Sequence, residues 1–321
     1  LATLTTIEKQ VWSQLRKIED VVEREIKVNY AKAMDSIRVE LSKIYERYAE
    51  KGVLTKGTMT RYNRLTGLHK RLSEILRVEL GSVDRILKNF QKVQYQESFS
   101  RHAWAIDESI GANVTWGAIN EHAVAYSVAR FADPEHTFYD IAIKGLRESQ
   151  RNRLQRDITQ GIIRGDAYPT MARRVKDTMN KSFGDAMRIA RTEGQRAAVE
   201  GQQDLYDEAR EKGVDVVDVW DATNDSRTRP THGAMDGVKA KEHDGKMMFQ
   251  FPGVGWVRGP LQTGIAREDI HCRCRRRGEV VAIDAPEFKS PRARAVYEPE
   301  TYSEWAKREG IKRNKYGQKI A

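Results

Sequence analysis

The first 51 residues contain neither glycine nor proline, and that absence narrows the fold more than any other feature of the chain. Nothing in the stretch supplies a sharp turn. Apolar side chains recur at Leu4, Ile7, Val11, Leu15, Ile18, Val22 and Ile26, and again at Met34, Ile37, Leu41, Ile44 and Tyr48. Steps of three and four place them on one stripe of a long helix. The stripe weakens at residues 27–32, where a kink or a change of partner is expected, and Gly52 reads as the stop. A second run comes after Lys56-Gly57 and carries Leu65, Leu68, Leu72, Ile75, Leu80, Val83, Ile86, Leu87, Phe90 and Val93. Two long helices of this kind bury each other's stripes, so residues 1–100 are expected to form a helical hairpin, an arm that contacts another subunit.

Residues 101–184 read as a helical middle region. Trp104, Trp116, Tyr126 and Phe131 suggest packing, Gly111-Ala112-Asn113 a turn, and Ala132-Asp133-Pro134 a boundary. Helix resumes over 141–163, breaks at Arg164-Gly165-Asp166, and returns as a short helix over 171–179 and a longer one over 185–212. Gly213 closes it. The β-branched alternation from Val214 to Trp220 predicts a strand, and residues 246–251 and 279–283 are further strand candidates. The fold class is therefore α+β: a long N-terminal hairpin, a helical middle, a small loop-rich α+β module over 185–283 and an extended basic tail over 284–321.

A net charge of +10 over 321 residues favours acidic partners, either nucleic acid or an acidic protein surface. No run of about 18 apolar residues exists, so no membrane-spanning helix is expected, and no apolar signal segment opens the chain. Two cysteines one residue apart do not make a secreted disulfide framework. Reduced thiols or a metal site, and assembly inside a cell, are expected instead.

Both cysteines fall in the stretch from Trp220 to Arg277, with three of the seven histidines and seven glycines. Cys272 and Cys274 with His232 supply three soft or borderline ligands, with His271, His243 or Asp236 as a fourth, and tetrahedral zinc suits such a set. The other reading is two buried thiols beneath a loop. Asp225, Arg227, Arg229 and His232 admit three readings: an internal carboxylate–guanidinium lattice that pins a long loop, phosphate contact, or acid–base chemistry on nucleic acid. Asp236-Gly237 reads as a turn. Arg191 and Glu193, in the helix before the strand, either belong to a solvated charge lattice or brace the loops of the module.

The order of these pieces carries a resemblance. R-I-A-R-T-E at 188–193 precedes a strand ending in Trp220; D-S-R-T-R-P-T-H-x-x-M-D-G comes next at 225–237, then F-P at 251–252, a proline at 260, and C-R-C at 272–274. Residues 139–281 thereby resemble the C-terminal domain of tailed-phage minor head proteins, the Mu F-like head morphogenesis family. One departure is His271, where the family often carries asparagine. The resemblance implies a structural, non-enzymatic component of the virion head, assembled in the host cytoplasm. It implies contact with the portal protein and with major capsid or scaffolding protein, near packaged DNA and away from membrane. A nuclease using Asp225, Arg227 and His232, and a sequence-independent DNA-binding protein, are the alternatives.

From Arg275 onward the chain carries 12 Lys/Arg against 7 Asp/Glu. Arg275, Arg276 and Arg277, with Lys312, Arg313 and Lys315, are the candidate nucleic-acid contacts. Pro286, Pro291 and Pro299 mark residues 285–300 as a linker. Tyr302 and Trp305 read as an anchor for the tail, on a partner or on the chain itself.

Overall fold

A computed structural model describes residues 2–119, 122–125, 138–284 and 297–311. One helix, α1, runs unbroken over Leu4–Tyr48, through the stretch at 27–32 where the stripe weakens. A short α2 (Lys56–Thr60) leads into α3 (Arg64–Glu79) and α4 (Gly81–Ile110). The second arm of the hairpin is thus divided at Leu80 rather than continuous. Its antiparallel sense is written in the contacts: Ser36 donates to Glu79 at 3.2 Å, Ser82 to Asn29 at 2.6 Å, and Gln94 to the Leu15 carbonyl at 3.0 Å. As one partner's number falls, the other's rises.

Next come α5 (Phe138–Arg164) and α6 (Tyr168–Glu211), then β1 (Val214–Asp221), a one-turn α7 (Pro230–Gly233), β2 (Lys241–His243), β3 (Lys246–Phe251) and β4 (Gly255–Val257). A one-turn α8 (Ala266–Asp269), β5 (Arg275–Ile283) and α9 (Tyr302–Arg308) complete the series. The two helices expected over 171–179 and 185–212 are one helix, α6. Gly184 costs it about 1 kcal/mol of propensity, but buried Met179, Ser182, Ala186 and Met187 on either side hold the turn. β5 starts four residues earlier than the sequence suggests.

The chain divides into two compact units, one of Leu1–Asp20, Phe90–Phe131 and Ala190–Ala321, the other of Val21–Asn89 and Ala132–Ile189. The second unit is helical. Its buried side chains include Ile26, Ile37, Leu41, Leu68, Leu72, Ile158, Ile162 and Val175. Tyr30 sits edge-on to Phe183, and the Tyr45 hydroxyl donates to the Asp166 carbonyl at 2.6 Å.

The first unit holds both sheets. β1 and β5 pair antiparallel, with an irregularity between Asp215 and Val216. β2, β3 and β4 form a three-stranded meander. One core joins Leu4, Ile7 and Val11 of α1, Phe99 and Ile106 of α4, Val199 and Leu205 of α6, and Trp220, Phe249, Phe251 and Trp305. Glycines let α6 and α4 approach: a Cβ at Gly201 would collide with the Tyr95 carbonyl oxygen, whereas one at Gly184 would meet nothing within 4 Å. Gly201→Ala is therefore expected to destabilise by roughly 1–3 kcal/mol, because a backbone oxygen cannot move aside. Gly184→Ala should stabilise by up to about 1 kcal/mol through helix propensity. Urea midpoints of the two variants check the contrast; a shared sign would refute it.

α9 is docked rather than extended. Thr301 caps it in a reciprocal capping box with Glu304, and Tyr302 and Trp305 are buried. Both aromatics therefore anchor on the chain itself. The Trp305 indole donates to Asp107 Oδ2 at 2.8 Å, and the Val114 amide and Trp116 indole donate to Oδ1, each at 3.1 Å. Burial pushes the Asp107 carboxyl from 3.8 up to about 7, outweighing these donors and the Arg308 charge. With the folded value above the unfolded one, the folded state keeps a proton that the unfolded chain releases. Its contribution to stability is complete below the unfolded value and is lost as pH rises through about 7. Asp107→Asn should cost roughly 1–3 kcal/mol by setting an amide N–H against an indole N–H. It should also flatten the fall in melting temperature across that window; parallel profiles for variant and wild type would count against the assignment.

Tyr126, Phe131, the boundary at 132–134, the linker residues 285–296 and the candidate contacts Lys312, Arg313 and Lys315 lie outside the described residues.

Candidate metal centre

β1 delivers Trp220 to the core, and the chain then turns through residues 222–229. Asp236 organises that turn: Oδ1 accepts the Ala222 amide at 3.0 Å and Oδ2 the Asn224 side chain at 2.6 Å. Gly237, at φ +74°, donates its amide to the Trp220 carbonyl at 2.9 Å. Asp236 is thus spent on the loop and is not a ligand. Pro230 occupies the first turn of α7, where a missing N–H costs nothing, and two residues later His232 points into the core, 2% exposed. It lies edge-on to Trp220 and Phe251.

The thiols arrive from the other side. Residues 272–274 lead into β5, and in extended chain residues two apart face the same way. That alternation explains why one intervening residue suffices. Cys272 and Cys274 are each 3% exposed, while Arg273 between them pairs with Asp225. His232 Nδ1 lies 3.2 Å from Cys274 Sγ and 3.4 Å from Cys272 Sγ, and the three ligand atoms fall within 4.8 Å of one another. Tetrahedral zinc with bonds of about 2.0 and 2.3 Å would set nitrogen and sulfur about 3.5 Å apart. The donor set and its spacing therefore fit zinc with a small expansion.

Glu268, invisible as a functional residue in the sequence, completes the arrangement. Its Oε2 lies 3.1 Å from His232 Nε2 and accepts from Thr231 Oγ1 at 3.0 Å. A carboxylate at Nε2 fixes the proton there and leaves the Nδ1 lone pair toward the sulfurs, as in carboxylate–histidine–metal triads. Arg229 holds the α8 turn that carries Glu268, donating to the Glu268 and Ile270 carbonyls at 3.2 and 2.6 Å. The two thiols divide their roles: a hydrogen bond from Cys272 brings Cys274 down to about 5, while that bond and burial push Cys272 up. One thiolate, at Cys274, is thus favoured even without a metal.

Of the other candidate ligands, His271 is exposed at φ +60° and stands outside the converging group. A left-handed residue there turns the chain so that Cys272 can enter the core. His243 stacks on Trp256 with ring centroids 4.5 Å apart, away from the sulfurs. Among the described residues, these three side chains, His232, Cys272 and Cys274, converge.

The acid–base constellation of Asp225, Arg227 and His232 is not assembled. Asp225 is held by Arg273 and accepts the Arg227 amide at 2.9 Å, and Arg273 above all keeps its carboxyl well below the usual range. His232 makes its bonds with sulfur and Glu268 instead. The charged pair in α6 also separates: Arg191 reaches Glu19 at 2.8 Å, while Glu193 and Arg196 pair with each other in the interior. The arginine run at 275–277 is likewise no common nucleic-acid face. Arg276 is fully buried and paired with Asp218 at 2.7 Å, and Arg277 pairs with Glu279 at 3.0 Å. Strand alternation sends the middle arginine inward, where no phosphate can reach it.

Comparisons with known proteins agree with the motif order. Residues 152–277 match the family described as Phage Mu protein F like protein. The Minor head protein GP7 of Bacillus phage SPP1 is 27% identical over 287 residues, spanning 87% of this chain and 89% of that protein. NAD(+)–arginine ADP-ribosyltransferase EFV of Enterococcus faecalis is 28% identical over 286 residues, 86% of this chain, which spans 55% of that protein's length. An uncharacterized protein of Haemophilus influenzae is 25% identical over 132 residues, 41% of this chain and 26% of that protein. No solved structure matches the chain. A relative bearing a transferase name, beside a His–Cys–Cys cluster that could hold a metal ion, overturns the expectation of a non-enzymatic chain.

Proposed function

We propose, for a chain whose residues 152–277 match the family described as Phage Mu protein F like protein, that it serves as a minor head protein of a tailed phage, built into the virion head beside the portal. The observation that carries this reading is similarity to the Minor head protein GP7 along nearly the whole of both chains. Contacts with portal and capsid or scaffolding protein, and a role in head assembly and DNA packaging or delivery, are parts of the same proposal. No helix among the described residues is long and apolar enough to cross a membrane. Purified heads assembled with the chain should contain it together with portal protein, and heads assembled without it should be defective. Its absence from purified heads would overturn the reading.

Within that role His232, Cys272 and Cys274 hold zinc, which ties α7 to the start of β5 across a loop-rich module. Zinc supplies the cross-link, and Glu268 orients the imidazole. Elemental analysis of protein prepared without chelator should find about one zinc per chain, as three protein ligands and a water allow. A second reading, catalysis, is favoured by the likeness to the ADP-ribosyltransferase EFV. Incubation of the purified chain with labelled NAD(+) and an arginine-rich acceptor tests it, transfer of label being the expected result.

A further inference from the structure

A cleft of about 610 Å³ opens beside the metal centre, walled by the N-terminal part of α1, by α6 and by the loops before α7 and β5. Cys272 contributes to its wall, as do Trp12 and Leu15. Six arginines line it, namely Arg16, Arg191, Arg227, Arg229, Arg273 and Arg275, against one carboxylate, Glu19. Four of the six are engaged: Arg191 with Glu19, Arg227 and Arg273 with Asp225, and Arg229 with backbone carbonyls. Arg16 and Arg275 make no ion pair among the described residues. Arg275 lies with its guanidinium 5.3 Å from the centre of the Trp12 ring, and its cross-strand neighbour Asp221 acts on it only through space.

We propose that this cleft binds the phosphate of a nucleotide, with Arg16 and Arg275 as its anion clamp. Like charges converging in one cleft, whose single lining carboxylate, Glu19, is already paired with Arg191, are unfavourable until an anion arrives. A guanidinium pair suits phosphate through bidentate hydrogen bonding. The volume fits a single nucleotide rather than a duplex, since small-ligand sites occupy roughly 300–1,000 Å³. Gln94, Gln195 and Thr223 line the remainder and already donate to the Leu15, Cys274 and Arg273 carbonyls, which leaves their side-chain oxygens to accept from the donor edges of a base or sugar. The shared chemistry, a phosphorylated nucleoside, has two sources: a free nucleotide, or one residue of a single strand threaded through the cleft.

The test is calorimetric titration of the full chain with ADP, and separately with a six-residue oligothymidylate, for wild type and Arg16→Glu. Arg16 is exposed, so the variant should keep the wild-type melting temperature. Losing one charge-assisted hydrogen bond should weaken binding at least about tenfold. Arg275→Gln should weaken it similarly. ADP binding that falls in both variants identifies a free-nucleotide site. Oligothymidylate binding that falls in both, with ADP bound weakly or not at all, identifies a strand site. Failure of both probes to bind wild type, or binding of either that ignores both substitutions, overturns the proposal. Incorporation into heads is a separate readout, so the cleft and the head assignment can fail independently.

Discussion

Replacing Cys274 with serine is expected to lower the melting temperature by about 10 °C and to abolish zinc binding. Free zinc at about a thousand times its dissociation constant stabilises the folded state by about 4 kcal/mol, and each kcal/mol moves a unit of this size by roughly 2–4 °C. The thiol-to-hydroxyl change alone removes little volume, so most of the loss should be metal linkage. A chelator should therefore bring wild type down to the level of Cys274→Ser and leave the variant unmoved. Glu268→Gln should keep the three ligands but weaken zinc binding by roughly 10–100-fold, as loss of an orienting carboxylate does. If chelation shifts wild type and Cys274→Ser equally, the cluster is a packed pair of thiols and no metal staple.

The second large effect concerns the ion pair beneath β5. Asp218 and Arg276 are both fully buried, and Arg210 approaches the same carboxylate at 3.4 Å. Burial pushes the Asp218 carboxyl up against the pull of both guanidiniums, and it lowers Arg276. Arg276→Met should cost roughly 3–5 kcal/mol, because it strands a buried carboxylate with one distant partner. The double variant Arg276→Met with Asp218→Leu should recover most of that loss, since two apolar groups need no partner. Urea unfolding of both singles and the double measures the coupling; additive losses would show that the pair is not a unit.

These sites differ in how far the sequence exposes them. His232, Cys272 and Cys274 can be brought together on paper, because their side-chain chemistry admits few other uses. Glu268 cannot, since nothing near it in the chain marks it as a partner of a residue 36 positions away. Arg276 shows a different failure. Three consecutive arginines read as a basic run, yet the alternation that identifies a strand also demands that the middle one face inward. Starting the strand at Glu279 instead of Arg275 hides that demand. Dividing α6 at Gly184 fails because propensity is local, whereas the buried residues flanking that glycine are settled by packing. The arms of the hairpin are legible because a Gly- and Pro-free amphipathic stripe has few other fates. The break at Leu80 is not, as the apolar spacing runs through it.

The core of the first unit draws Leu4, Ile7 and Val11 from one end of the chain and Trp305 from far along it. Synthesis lays these residues down some three hundred codons apart, so the α1 stripe must wait, without its final neighbours, until Trp305 has left the ribosome. The matched family segment starts within α5 and stops at Arg277, partway along β5. What is inherited as a module is therefore smaller than what folds as one. A fragment cut to the family boundaries would present to solvent the face that α1 covers, and the greater part of β1, Val214 to Asp218, would lose its cross-strand partners. Exchange of this domain between relatives would have to carry a compatible N-terminal helix with it.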